Sequence, residues 1–372
     1  MEFYIGLACF NLAPVGKSSK VNPLVANMES TGIARLVLSR PDRIGDVVIT
    51  SSGFAPVRVA LPQAEIHFIA QPRMELLFRS HPALKSFVPV SIHTDATRRM
   101  ELLAAQLRKL KADCIVHLHS DPEVEWAAAA AEIPRRIGFR ENGDKWLTES
   151  LPFLKKRGDK HEGYYNFDLL ELLGVPVPPK LVPHITPDGA ALERLASKLP
   201  AGLVPRAYAV LHVGAHVGKP RIAPEFFIAA ARWLVKERGL YVILMGAEPT
   251  DENVTAILAG AGRTVSWIHN LCGQTDLAES AFILRDAAVV FGRDSGPAHL
   301  AAAMGARTVT LMMDSEPANS GRRWTPLGDL SWALDKPLKR GWFESKIAFG
   351  QRNLAQYSPE EIIAALKFAL EA

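Results

Sequence analysis

Several things are scarce in this sequence, and each shortage excludes a class of protein. Only three cysteines occur, Cys9, Cys114 and Cys272, far apart and with no C-x-x-C pair. That spacing gives neither a zinc site nor a disulfide framework and suits a reducing compartment. No apolar run approaches the ~18 residues that a membrane-crossing helix needs. The opening stretch, residues 1–14, is apolar, but it carries Glu2 and lacks the basic start of a secretory signal. Excess charge of one sign is also small: the formal net charge is +4, too mild to indicate nucleic acid. There is no G-x-G-x-x-G fingerprint, so a dinucleotide cofactor is not indicated, and no Gly-Lys-Ser/Thr to make a P-loop.

What the chain does have is apolar sequence, 48% against 22% charged, over 372 residues. That length is natural for two domains, each with its own core. Apolar runs at 36–38, 66–70, 88–90 and 114–118 read as strands, with helices such as 73–80 and 96–110 between them. The second half repeats the scheme. Strands are predicted at 208–213, 241–245, 266–269, 289–291 and 308–311, and helices at 225–238, 250–261, 276–285 and 297–304. This alternation predicts an α/β fold with mainly parallel sheets covered on both faces. Proline density over 175–183 closes the first domain. The expected division is an extension over 1–32 (Met28 being a candidate natural start), a Rossmann-like domain over 33–185 and a linker over 186–205. A second Rossmann-like domain follows over 206–350, then a C-terminal helix over 351–372 packing back toward the linker. In that last segment Ser358 caps, Pro359 enters the first turn and Glu361 completes a capping box.

Two loops stand out against this scaffold. The later, Gly292-Arg293-Asp294-Ser295-Gly296-Pro297-Ala298-His299-Leu300, joins a buried strand to a small-residue helix that closes at Gly305. Such a joint leaves free N–H groups at the helix start, where a phosphate can bind. Gly296 lets a ligand approach the backbone, Pro297 suits the first turn, Ser295 offers a hydroxyl, and Asp294 can accept hydrogen bonds from ligand hydroxyls. An ordinary Asp/Ser cap would use the same residues. The earlier loop, Ser39-Arg40-Pro41-Asp42-Arg43-Ile44-Gly45-Asp46-Val47, has the same design. One such loop in each half suggests ligand chemistry at the carboxyl ends of two open sheets, in a cleft between them.

Together the two loops resemble glycosyltransferase family 9, the ADP-heptose:lipopolysaccharide heptosyltransferases. Members carry an Asp-x-Ile-Gly-Asp-Val-like loop early and an Asp-Ser-Gly-Pro-x-His-Leu-like loop late. Here these are Asp42-Arg43-Ile44-Gly45-Asp46-Val47 and Asp294-Ser295-Gly296-Pro297-Ala298-His299-Leu300. Intermediate landmarks agree: Leu61-Pro62-Gln63-Ala64-Glu65-Ile66, Lys160-His161-Glu162, Leu169-Leu170-Glu171-Leu172-Leu173-Gly174 and Leu271-Cys272-Gly273-Gln274-Thr275-Asp276-Leu277. The resemblance spans roughly residues 33–371 and implies the GT-B architecture, two Rossmann-like domains facing across a cleft.

It also implies an inverting, metal-independent transfer of heptose from ADP-L-glycero-D-manno-heptose to the inner core of lipopolysaccharide. No Asp-x-Asp motif of the metal-dependent transferases is present, and no cofactor is expected beyond the nucleotide-sugar substrate. The family makes Asp46 the base that deprotonates the acceptor; by itself it reads equally as a helix-N-terminal carboxylate. Asp42 is the competing carboxylate, or an anchor for Arg43 or Arg40. Family members place a basic residue four positions before the Glu that opens the next helix, which gives Arg221 to the diphosphate, with Lys219 as the nearby alternative. Ser295 and Gly296 share that role, and Asp294 meets the donor sugar. Glu248 or Glu252 reaches the ribose, or is a plain helix-N-terminal acid. Cys272 and Gly273 line the base pocket, where packing would explain them equally well. His299 reads as structural, and His117 and His119 as acceptor-side contacts.

The sequence departs from the family at Ile222-Ala223, where a Trp is usual, and at Met312-Met313, where Phe-Gly is usual. These departures leave open another nucleotide-activated sugar. A hydrolysing 2-epimerase of the same architecture, or a non-catalytic relative, is the rival of another class. Basic clusters, among them Arg98-Arg99, Arg108-Lys109, Arg135-Arg136 and Lys155-Lys156-Arg157, are solvated faces or a contact for anionic membrane. The resemblance places the protein at the cytoplasmic face of the inner membrane of a Gram-negative bacterium, attached peripherally.

Overall fold

A computed structural model describes residues 32–90, 93–141, 143–214, 220–314, 316–336 and 346–372. They form two compact units, one ending at Asp188 and the other beginning at Gly189. Each unit is built on a single six-stranded sheet in which every pairing is parallel.

In the first unit the strands are β1 (Arg35–Ser39), β2 (Glu65–Ala70), β3 (Ser86–Pro89), β4 (Cys114–His117), β5 (Arg135–Arg140) and β6 (Glu149–Pro152). Their order is β3-β2-β1-β4-β5-β6. The chain builds outward from β1 on one side, then returns and builds outward from β4 on the other. The ends of β1 and β4 therefore meet at a topological switch point, where open α/β sheets bind ligands. Beneath it, Val37, Ile69 and Ile115 pack on Leu103, Leu107 and Val124 of the covering helices.

The second unit repeats this plan with β7 (Tyr208–His212), β8 (Tyr241–Met245), β9 (Ile268–Asn270), β10 (Val289–Arg293), β11 (Thr308–Leu311) and β12 (Ser331–Leu334). The order β12-β11-β10-β7-β8-β9 puts its switch point between β7 and β10. Leu211, Leu244, Phe291 and Leu311 share a core with Phe227 and Leu234 of the helix Pro224–Arg238. The C-terminal helix Pro359–Glu371 joins this core through Ile362 and Leu366, and its start carries the capping box of Ser358 and Glu361.

Some elements differ from the sequence reading. β5 and β6 were not foreseen: β6 is the edge of the first sheet, β5 lies next to it, and neither is a continuous apolar run. Arg135 of β5 donates to both carboxylate oxygens of Glu149 on β6, at 2.5 and 2.9 Å, so the charges pair across the strands instead of forbidding them. β12 is a second edge strand of only 4 residues. Over 73–80 the helix shortens to Glu75–Phe78 behind a 3₁₀ turn at Pro72–Met74. Likewise the strand expected from 266 starts at Ile268, after a 3₁₀ turn at Gly262–Trp267.

Candidate active site

At the first switch point, β1 runs directly into Arg40, whose side chain is only 2% exposed. A guanidinium so buried needs partners for its donors. Nε donates to Asp42 Oδ1 (2.9 Å) and Nη2 to Asp46 Oδ1 (2.7 Å). Nη1 donates to the Leu118 carbonyl (2.7 Å), Glu162 Oε1 (3.1 Å) and Asn166 Oδ1 (3.2 Å). Glu162 Oε1 also takes the Lys155 ammonium at 2.7 Å, and Lys155 shares the Leu118 carbonyl. Asn166 passes the network on to the Thr50 hydroxyl.

Three carboxylates, Asp42, Asp46 and Glu162, thus surround two cations, Arg40 and Lys155. Asp46 shows the imbalance. Burial, seconded by the like charge of Asp42, pushes its pKa up to about 6, although Arg40 pulls the other way. The helix Ile44–Thr50 carries Asp46 in its first turn, next to the buried Gly45. Asp42 anchors Arg40, not Arg43, which caps that helix by backbone conformation alone and is exposed. His119 Nδ1 stands 3.5 Å from Asp42 Oδ2, and burial lowers its pKa. His117 is fully buried.

At the second switch point the helix Gly296–Ala303 begins directly after β10. Ser295 is extended, makes no side-chain cap, and turns its hydroxyl to the Arg293 carbonyl at 3.1 Å. The first N–H groups of that helix have no intrahelical acceptor. Asp294 Oδ1 accepts from Arg293 Nη2 at 3.1 Å. Tight backbone packing marks this edge of the sheet. A Cβ on Gly292 would lie 3.0 Å from that of His212, and a Cβ on Gly246 would lie 3.3 Å from the Gly214 nitrogen.

Arg221 is one-third exposed and pairs with Asp251 through Nη2 and with Glu252 through Nε, at 2.9 Å for the latter. Two residues given separate roles in the sequence, Arg221 and Glu252, are therefore partners of each other. Asp251 caps the helix Glu252–Gly260. Glu248 is exposed on the loop after β8. Cys272 is buried beside Gly246, with burial pushing its thiol up to about 12. Gly273 adopts φ +70 and donates to the Gly246 carbonyl at 2.9 Å; a Cβ there would meet the Ala247 carbonyl at 3.0 Å. Lys219 lies outside the described residues. Of the positions that depart from the family, Ile222, Met312 and Met313 are core residues at 3%, 0% and 1% exposure, and Ala223 is partly buried against the same core. His299 is buried in the helix that follows the late loop.

The sequence reading names Arg40, Lys155, Glu162 and Arg293 without the contacts they make here, and it gives no role to Asn166, Asp251 or Asn253. A usable signal existed for Arg40 alone: a charged residue straight after a buried strand, with acids two and six positions on. Among the described residues no group of three or more His, Cys, Asp or Glu is arranged to hold a metal ion, and no helix is long and apolar enough to cross a membrane.

Residues 100–338 match the family model of glycosyltransferase family 9 (heptosyltransferase). No curated protein matches the chain. Among solved structures, the family 9 glycosyltransferase of Veillonella parvula is similar at TM-score 0.73 and 18% identity, covering 91% of this chain and 97% of that one. The E. coli ADP-heptose lipopolysaccharide heptosyltransferase II gives 0.73 and 20%, covering 90% and 98%. E. coli heptosyltransferase WaaC with ADP gives 0.67 and 15%, covering 90% and 99%. At these identities the similarity establishes the fold.

Proposed function

This chain belongs to glycosyltransferase family 9, and we propose that it moves a heptose from ADP-L-glycero-D-manno-heptose to the inner core of lipopolysaccharide, inverting the anomeric carbon without a metal. The observation that carries this reading is the Asp46 carboxylate, held by Arg40 in a crowd of like charge with its pKa pushed up to about 6. A general base works best when its pKa lies near the operating pH. Asp46 takes the proton of the acceptor hydroxyl, whose oxygen bonds to the anomeric carbon. The bond from that carbon to the diphosphate breaks, and its electron pair leaves with ADP. Protonation turns Asp46 neutral and relieves the excess of carboxylates around Arg40.

The second unit binds the donor. Arg221 and the first N–H groups at Ser295 and Gly296 receive the charge that develops on the diphosphate. Asp294 accepts from the sugar hydroxyls, Glu248 from the ribose, and Cys272 and Gly273 floor the base pocket. A nucleotide of this type is supported by WaaC, a structure of similar fold described with ADP. Of the basic clusters, Lys155 is buried against Glu162 and Arg135 is paired with Glu149, which leaves the exposed Arg98, Arg108, Lys109, Lys156 and Arg157 to meet anionic lipid on the cytoplasmic face of the inner membrane.

The test is turnover of ADP-heptose with an inner-core acceptor, in the presence and absence of a chelator. Wild-type protein gives a product of inverted configuration that the chelator does not diminish. Asp46→Asn lowers kcat by about 10²–10⁴-fold, the span of general-base catalysis. ADP still raises the melting temperature of that variant by mass action. Undiminished turnover by Asp46→Asn would remove Asp46 from the mechanism. A thermal shift with UDP and none with ADP would replace the heptose donor by another nucleotide-activated sugar.

A further inference from the structure

Arg221 sits between two backbone carbonyls, and a buried side chain holds each of them. The Pro220 carbonyl accepts from Arg293 Nη1 at 2.7 Å. The Ile222 carbonyl accepts from Asn253 Nδ2 at 3.1 Å, and the same amide reaches the Val213 carbonyl at 3.2 Å. Arg293 is 5% exposed and Asn253 2%. Pro220 is braced from its other side as well, since a Cβ on Gly350 would lie 2.1 Å from its ring.

The chemistry of Arg293 is costly for a mere strand end. It follows Val289 and Phe291 at alternate positions of β10, on the face that forms the core, where an apolar side chain would carry no desolvation penalty. Its Nε has no hydrogen-bond partner among the described residues. Both of its side-chain partners belong to the loops at the switch point, Pro220 on one and Asp294 on the other. Among the described residues Arg221 itself is held by carboxylates, Asp251 at 8% and Glu252 at 77% exposure, so the Glu252 side of the pair is open to exchange while the backbone is fixed.

We propose that Arg293 and Asn253 are positioning residues that clamp the backbone on either side of Arg221, so that its guanidinium is delivered to the diphosphate of the donor. This rests on the phosphate role given to Arg221 above. Donor arrival then exchanges the carboxylates of Asp251 and Glu252 for phosphate oxygens, without moving the loop ends.

Calorimetric binding of ADP and of adenosine to the full chain tests the clamp, because only ADP carries the phosphates. Arg293→Met and Asn253→Ala each weaken ADP by about tenfold, one well-placed interaction's worth, and leave adenosine within about twofold. Arg293→Lys, which keeps a donor for the Pro220 carbonyl, recovers most of the loss. Combined with Arg221→Met, Arg293→Met adds nothing further, since it acts through Arg221. The proposal is overturned if the wild-type protein prefers ADP to adenosine, or UDP to uridine, and both single variants keep that preference, whatever their melting temperatures. It also falls if neither diphosphate is bound better than its nucleoside. If UDP over uridine shows the dependence on Arg293 and ADP over adenosine does not, the ADP donor is wrong and the clamp stands. Should Arg293→Met fail to fold, Asn253→Ala and Arg293→Lys decide alone.

Discussion

The two switch points share a topology and differ in how they hold their charges. At the end of β1 Arg40 and Glu162 are buried and the Asp42 and Asp46 side chains are only 15% and 14% exposed, and Arg40 alone bonds to Asp42, Asp46, Glu162, Asn166 and the Leu118 carbonyl. At the end of β7 the cation Arg221 is one-third exposed and paired with the nearly buried Asp251 and the exposed Glu252. The base role proposed for Asp46 calls for a poorly solvated setting, because burial is what shifts its proton affinity. The phosphate role proposed for Arg221 calls for a fixed backbone and a free end. The first site is therefore closed at the side chain, the second at the main chain.

The largest test of this contrast is Arg40→Met. It leaves the buried Glu162 and the largely covered Asp42 and Asp46 with Lys155 as the remaining cation of the cluster, and breaking such a cluster costs about 3–5 kcal/mol. Urea unfolding measures this. A loss below about 1 kcal/mol, the scale of a surface pair, would put the first site in the same class as the second.

A smaller effect concerns pH. Asp46 titrates at 3.8 as a free carboxyl and at about 6 in the fold. Because the folded state binds this proton more tightly, the group contributes stability at low pH that is lost as pH rises through about 6. Asp46→Asn cannot lose it. The stability of this variant relative to wild type therefore improves by roughly 2 kcal/mol between about pH 4 and pH 7. Turnover by wild type rises across the upper part of the same range, as the base becomes ionised. A difference in stability that stays flat with pH would mean that the Asp46 environment is an ordinary one.

The smallest effect belongs to the second site. Glu252→Gln removes an exposed partner of Arg221 and tightens ADP by about two- to threefold, consistent with the modest worth of exposed ion pairs. Calorimetry reads the sign directly. Weaker binding instead would move the proposed ribose contact from Glu248 to Glu252.

Much of this architecture was legible in the sequence. Strands at 241–245 and 308–311 and the helix at 96–110 fall on the residues their apolar patterns indicate, and Ser358 and Glu361 form the box their spacing announces. Asp46 was found because it lies in a short motif. Its neighbour Glu162 was visible only as a landmark of unstated purpose, since the two residues meet through Arg40 across more than a hundred positions. The pairing of Arg221 with Glu252 was hidden for the same reason: each looked complete in its own loop, one as a phosphate ligand and the other as a ribose contact or a helix-N-terminal acid.

By itself the sequence determined most of the segments that become strands and helices, where the two strand-end loops fall, and which family the chain resembles. Those properties are local, set by periodicity, capping and short motifs. Tertiary structure alone decided how Arg40 is neutralised, why Asp46 holds its proton to about pH 6, and that Arg293 and Asn253 grip the residues beside Arg221. Each of these depends on which side chains share a buried volume. Burial and Coulomb energy are functions of distance in space, and the order of residues along the chain does not contain them until the sheets have formed.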